Sequence, residues 1–221
     1  MIKSIKTGWM LMRYTWGLKG GIISGVLFFL AGLLMMLLPM MGIFGFGQTG
    51  SYLVLVVSIW PAQLLWSLNV SDLVQTSPQK KAFQTAVPTA FTAVTIFACY
   101  TLTILIMLLQ FRADPALRQD VIATCMILTV EVLLLMAYYG IAFKYYYLGT
   151  VLFLLSFFIT SPAVQVMSLL GVFDGIPLWL AACSGFAAIL VGTGIQYGLS
   201  CLVYKKELHK SAQFAGLKKR M

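Results

Sequence analysis

The chain has 221 residues, 61% of them hydrophobic and only 10% charged, and its 15 Lys and Arg against 6 Asp and Glu give a net charge of +9. That composition leaves no room for a large soluble domain. A +9 charge that would point to nucleic acid in a soluble protein therefore needs another explanation. The single histidine, His209, excludes a two-histidine metal site, and no GxxxxGK[ST], GxSxG or HExxH motif is present.

The N-terminal residues 1–19 read as an amphipathic interfacial helix. Ile5, Trp9, Met12 and Trp16 recur at helical spacing on one face, with Lys3, Lys6 and Arg13 on another. The apolar run that follows is too long for the core of a signal peptide, and no small-residue cleavage site follows it, so it is expected to be retained. Residues 20–204 then divide into six apolar stretches, Gly20 to Phe44, Tyr52 to Leu68, Pro88 to Gln110, Val121 to Gly140, Tyr146 to Leu170 and Pro177 to Tyr204. Each is near the ~20 residues that a helix needs to cross ~30 Å of hydrocarbon. The expected fold is an all-α integral membrane protein with six transmembrane helices, followed by a basic tail over residues 205–221.

Along the first stretch, Gly17, Gly21, Gly25 and Gly32 form a small-residue face, and Ser184, Ala188, Gly192 and Gln196 repeat it in the sixth. Such faces let helices approach closely in lipid, either inside one bundle or between two subunits. Met35, Met36, Met40 and Met41 crowd the far end of the first stretch, either as filler or as an adaptable apolar contact. Between the second and third stretches, the loop at residues 70–87 carries Ser77-Pro78, an N-cap followed by proline at the first helical position. A short helix over Gln79 to Val87 is expected there, with Pro88 punctuating the entry to the next span.

The third stretch carries Thr85, Thr89, Thr92, Cys99, Thr103 and Gln110 on one face, and the fourth carries Asp120, Thr124, Glu131 and Tyr138. Glu131 falls near mid-span, where an unpaired carboxylate costs ~2.5–3.5 kcal/mol on insertion scales. It must therefore face protein or water, or carry a proton. Three roles are open to it: a structural hydrogen bond, a contact in a translocation path with Thr124, Thr92 and Thr103, or proton coupling. Tyr138, Tyr139, Tyr145, Tyr146 and Tyr147 flank Lys144 and are expected to form an interfacial aromatic belt. The four cysteines lie within apolar stretches without metal-like spacing and read as packing residues.

The basic residues explain the charge. If the chain crosses a membrane six times, Lys3, Lys6, Arg13, Lys19, Lys80, Lys81, Lys144 and the six Lys and Arg of the tail share one side, leaving Arg112 and Arg118 on the other. Retained Lys and Arg mark the cytoplasmic side, so both termini are expected there, with contacts to anionic lipid and none to nucleic acid.

Six spans, an interfacial N-terminal helix and a short helix after the second span, with the wording "SPQKK…QT", together resemble the permease subunits of bacterial type-2 ATP-binding cassette exporters. The likeness is nearest to small Gram-positive exporters of the phenol-soluble-modulin or lantibiotic type. The resemblance implies a multi-pass subunit of the bacterial cytoplasmic membrane that exports an amphipathic or hydrophobic substrate, with a peptide as first choice. It implies a separate P-loop ATPase subunit that binds the ATP and Mg, a second permease subunit, and no cofactor or catalytic residue in this chain. It assigns ATPase coupling to Val74, Ser77, Pro78, Lys80, Lys81 and Phe83. In that family a pair of re-entrant helices often lies between the fifth and sixth spans; here Ser161 to Pro177, with Pro162, Asp174, Gly175 and Pro177, is compatible with such a turn in compressed form, and the large external domains of bigger members are missing. Two alternatives are a substrate-binding membrane subunit of a vitamin-uptake transporter, and a membrane scaffold with no transport path.

Overall fold

The computed structural model describes Thr7 and residues 18–41, 47–59, 61–62, 76–173 and 175–205. Among these residues the secondary structure is helical, with no strand. Helix α1 (Leu18–Leu37) ends in a 3-10 turn at Leu38–Met41. It is followed by α2 (Gly47–Val56), α3 (Lys80–Gln84), α4 (Ala86–Ala113), a 3-10 turn at Pro115–Leu117, α5 (Arg118–Ala142), α6 (Tyr146–Leu169) and α7 (Leu178–Val203). Among the described residues, three segments are long and apolar enough to cross a membrane: Lys80–Ala113, Pro115–Ala142 and Leu178–Val203. Their outward faces are apolar as well, with Val94, Phe97, Leu105, Trp179, Leu190 and Leu202 all exposed. In water such a surface would be a liability; against lipid tails it costs nothing.

Helix α5 is the centre of the bundle. It packs most extensively on α7 and next on α6, while α4 lies against α7 and α5, and α2 joins α1 to α4 and α5. Small residues make the α5–α7 approach possible. A Cβ on Gly140 would lie 2.8 Å from Leu199 Cβ and 3.0 Å from the Gln196 carbonyl oxygen, and one on Gly192 would lie 2.6 Å from Met136 Sδ. Ser184 is hydrogen-bonded to Thr129 at 2.8 Å. The small-residue face of the last helix is thus used inside the bundle. Gly32 does the same for α1: the α1 and α2 backbones meet there, with a Gly32 Cβ only 2.9 Å from the Gly50 carbonyl oxygen. Gly25 is buried; Gly17 and the surroundings of Gly21 lie outside the described residues, as do the N-terminal amphipathic helix, apart from Thr7, Leu18 and Lys19, and the tail beyond Lys205.

Several expectations need correction. Helix α2 begins at Gly47, ahead of the expected Tyr52, and gives way to a turn at Val57 and Ser58. Tyr138 and Tyr139 are core residues and not part of an interfacial belt. Their rings pack on one another with centroids 5.5 Å apart, and the Tyr139 hydroxyl is bonded to Ser58 at 2.7 Å. Tyr147 is exposed, as a belt residue would be. Helix α6, on the fifth expected stretch, runs through Pro162 to Leu169, and the turn after it uses Gly171 at φ 72°, in the left-handed region that favours glycine. Among the described residues no re-entrant helix pair occupies this connection.

Candidate functional site

The two ends of the bundle differ. One end carries the α4–α5 turn, which is built by Asp114: its carboxylate accepts from the Ala116 amide at 2.9 Å, and Pro115 opens the 3-10 turn. Beside this turn lies a cavity of about 380 Å³, walled by the 3-10 turn after α1 and the ends of α2, α4, α5 and α6. Its polar lining is Gln48, Gln110, Asp120, Thr124 and Gln165. Asp120 and Gln165 are exposed and Gln110 is buried, so the cavity opens at the bundle end and closes inward. Gln165 Nε2 donates to Gln48 Oε1 at 2.9 Å, joining α6 to α2 across the rim. Gln110 donates to the Met36 carbonyl, which closes the floor against α1. Met107, Leu117, Val121, Ile127 and Leu169 supply apolar wall.

The inward polar stripe read from the sequence is real. Thr89, Thr92, Cys99, Thr103 and Gln110 of α4, and Thr85 just ahead of it, are all buried. Of the four residues expected to line a path, Thr124 lies in the cavity wall and its hydroxyl donates to the Asp120 carbonyl at 2.7 Å. Glu131 is 4% exposed, and its Oε2 has no hydrogen-bond partner; the Thr103 hydroxyl is also buried without one. Thr92 does not join this group. It donates to Gln196 Oε1 at 2.8 Å and so ties α4 to α7 nearer the opposite end.

That opposite end carries α3 and the α5–α6 turn. The Ser77 hydroxyl accepts from the Gln79 amide at 3.2 Å, but Ser77 is not the N-cap and Pro78 is not the first helical residue: the N-cap is Gln79 and the helix begins at Lys80. It ends at Gln84, not Val87. The break falls at Thr85, and Pro88 sits inside the first turn of α4, where its missing N–H has no helical partner to lose. Lys81 is exposed, and its Nζ lies 5.6 Å from the centroid of the Tyr204 ring, just past the end of α7. This cation–π contact joins α3 to the end of α7. Pro78 is exposed, Ser77 and Lys80 are half-buried, and Phe83 is only 6% exposed. Phe83 therefore packs into this chain and is withdrawn from any partner surface; Val74 lies outside the described residues.

Lys144, expected among the interfacial belt residues, is buried. It is 2% exposed, in the turn after α5. Burial first, and the nearby Lys80 charge second, hold its pKa below the ordinary lysine value. Among the described residues no group of three metal-ligating side chains occurs, and all four cysteines are free.

Comparison with protein-family models, with curated proteins and with solved structures finds no match for this chain.

Proposed function

We propose that this chain is the transmembrane permease subunit of an ATP-binding cassette exporter, moving an amphipathic or hydrophobic substrate, first of all a peptide, with ATP hydrolysed by a separate subunit. In this reading six spans cross the bacterial cytoplasmic membrane, both termini are cytoplasmic, and two permease chains pair. The observation that carries it is α3: a short helix broken from α4 at Thr85, presenting Pro78 and Lys81 at the end of the bundle away from the cavity. A short helix that adjoins α4 and touches the end of α7 through Lys81 is suited to passing a push from a docked protein into the spans. The polar residues along α4 and α5 supply an interior surface over which a substrate's polar groups could pass.

One observation favours the uptake-type binding subunit instead: the cavity opens at the end that the basic-residue asymmetry places outside. The two readings part on whether α3 is a docking element. The test is affinity purification of the intact chain from its native membrane in mild detergent, with partners identified by mass spectrometry, comparing wild type with Lys80→Glu/Lys81→Glu. A P-loop ATPase recovered with wild type and lost with the variant supports coupling through α3. An ATPase equally retained moves the coupling surface elsewhere, and recovery of none removes the permease proposal.

A further inference from the structure

We propose that the end of the bundle carrying α3 holds an anionic phospholipid, with its phosphate at Lys81 and Lys205 and an acyl chain in a trough along the outer face of α7. Such a site requires only that α7 crosses a membrane, and is independent of any ATPase on α3.

The head-group half starts from charge. Lys81 Nζ lies 5.6 Å from the centroid of the Tyr204 ring, and Lys205 follows Tyr204 directly. Lys81 and Lys205 are exposed, and Lys80 beside Lys81 is half-buried. Lysines from two distant parts of the sequence thus come together at one end of the fold. The carboxylates of the described residues lie elsewhere: Asp114 and Asp120 at the α4–α5 turn of the opposite end, and Glu131 inside α5. Like charges gathered without a carboxylate among them raise the local potential and favour an anion.

The acyl half follows from the helix beneath. Tyr204 keeps helical dihedrals at φ −59° and ψ −31°, so Lys205 continues the winding of α7. With 3.6 residues per turn, Leu202, Gly198, Gly194 and Val191 share its face. All four are exposed, and nothing lies within 4 Å of a Cβ built on Gly194 or Gly198. Two glycines one turn apart leave a trough in the helix surface. Leu190 and Tyr197 stand on one side of it, and Val191, Ile195 and Leu202 on the other, all exposed. From Gly194 to Lys205 the helix rises about 16 Å at ~1.5 Å per residue, close to the ~15 Å of hydrocarbon in one leaflet. The trough therefore runs from head-group depth to mid-membrane.

A glycine pair on an exposed face also suits a second helix. Charge decides against a second copy of this chain: two copies run parallel in one membrane, so Lys205 would meet Lys205, and like charges in apposition are unfavourable. A phosphate is complementary to the same lysines. Bound there, it would tie α3 to the end of α7.

The test incubates the full-length chain, in mild detergent, with equimolar phosphatidylglycerol and phosphatidylcholine of the same chains, and reads the bound ratio by native mass spectrometry. Each lysine near an anionic lipid is worth about fivefold. Wild type is expected to favour phosphatidylglycerol at least about tenfold, and Lys81→Gln/Lys205→Gln to lower that ratio at least about tenfold. Lys218→Gln/Lys219→Gln removes the same charge from the tail and is expected to change it less than about twofold. Gly198→Leu fills the trough without altering charge and is expected to lower the retained phosphatidylglycerol at least about threefold. Glycerol 3-phosphate, an anionic phosphate without chains, is expected to displace little of it at equal concentration. Lys81, Gly198 and Lys205 are exposed, so their substitution leaves the core intact. No preference in wild type, or an equal loss in the two double variants, overturns the inference in favour of diffuse attraction. Lipid unaffected by Gly198→Leu, or displaced by glycerol 3-phosphate, overturns it in favour of a free phosphate site. A wild-type dimer that Gly198→Leu abolishes while the lipid stays gives the face to a second copy and overturns it too. No ATPase is present, so failure here and failure to recover an ATPase are separate results.

Discussion

A matched pair of glycine substitutions isolates how much of this fold depends on close backbone approach. At Gly50 in α2, a Cβ would lie 2.6 Å from the Gly32 carbonyl oxygen and 2.7 Å from the Met36 amide nitrogen, both backbone atoms of α1 that cannot rotate aside. Ordinary contact begins at 3.4 Å, so Gly50→Ala must push α1 and α2 apart by about 0.8 Å, the difference between 3.4 and 2.6 Å. A radial gap of ~0.5–1 Å forfeits a quarter to a half of each contact well, so the neighbouring α1–α2 contacts weaken together. Overpacking of this kind costs ~1–3 kcal/mol. Gly194 in α7 is the control: it is exposed, and nothing lies within 4 Å of a Cβ built there. Both changes gain the same ~1 kcal/mol of helix propensity, which cancels in the comparison. Gly50→Ala is therefore expected to be less stable than Gly194→Ala by ~1–3 kcal/mol, measured by denaturant-induced unfolding of the purified variants in one mild detergent. Equal stabilities would refute the argument that α1 and α2 pack backbone to backbone.

Other substitutions follow the same logic. Thr92→Val removes the hydroxyl that bonds Gln196 at 2.8 Å, and Gln196 Nε2 already lacks a partner. The expected loss is ~0.6–1.7 kcal/mol, the range for interhelical bonds in membranes, while Thr92→Val/Gln196→Leu together should recover most of it, as unfolding measurements on the single and double variants will show. Lys144 has a pKa held below its ordinary value in the folded chain, so between that lowered value and 10.5 the unfolded chain binds more protons. Stability should therefore rise with pH through that window. Lys144→Met should be more stable than wild type near neutrality, with the advantage shrinking as pH approaches the ordinary lysine value, followed by thermal unfolding at stepped pH. Phe83→Ala empties a buried site on the bundle side of α3. It is expected to cost ~3–5 kcal/mol of stability, in contrast to Lys81→Ala at the exposed face, which should leave the melting temperature nearly unchanged.

The spans with clean ends were the most legible part of the sequence. Tyr146–Leu169 differs from its expected stretch by one residue at one end and Leu178–Val203 by one residue at each end, because aromatic, glycine and proline residues bound a run of the right length. The α4 stripe was legible because polar residues at spacings of three, four and seven have one inward face in an apolar helix. The break at Thr85 was not. Proline is tolerated in a first helical turn, so Pro88 gave a stop signal four residues from the helix end at Gln84. Tyr138 and Tyr139 were misplaced because an aromatic pair beside a lysine has the composition of a belt whether or not the core needs two large rings. Of the candidate site, the Asp120, Thr124 and Glu131 face was visible by period. Its other walls were hidden: Gln165 meets Gln48 across a separation of 117 residues, and no local pattern encodes such a pairing.

The most direct measurement for the account as a whole places a photo-crosslinking amino acid at Lys81, on α3, and separately at Gln165, on the cavity rim, in the intact chain in its native membrane. The permease account predicts that the Lys81 probe captures a P-loop ATPase and that the Gln165 probe does not. An ATPase captured from neither position, or from Gln165 alone, would contradict it.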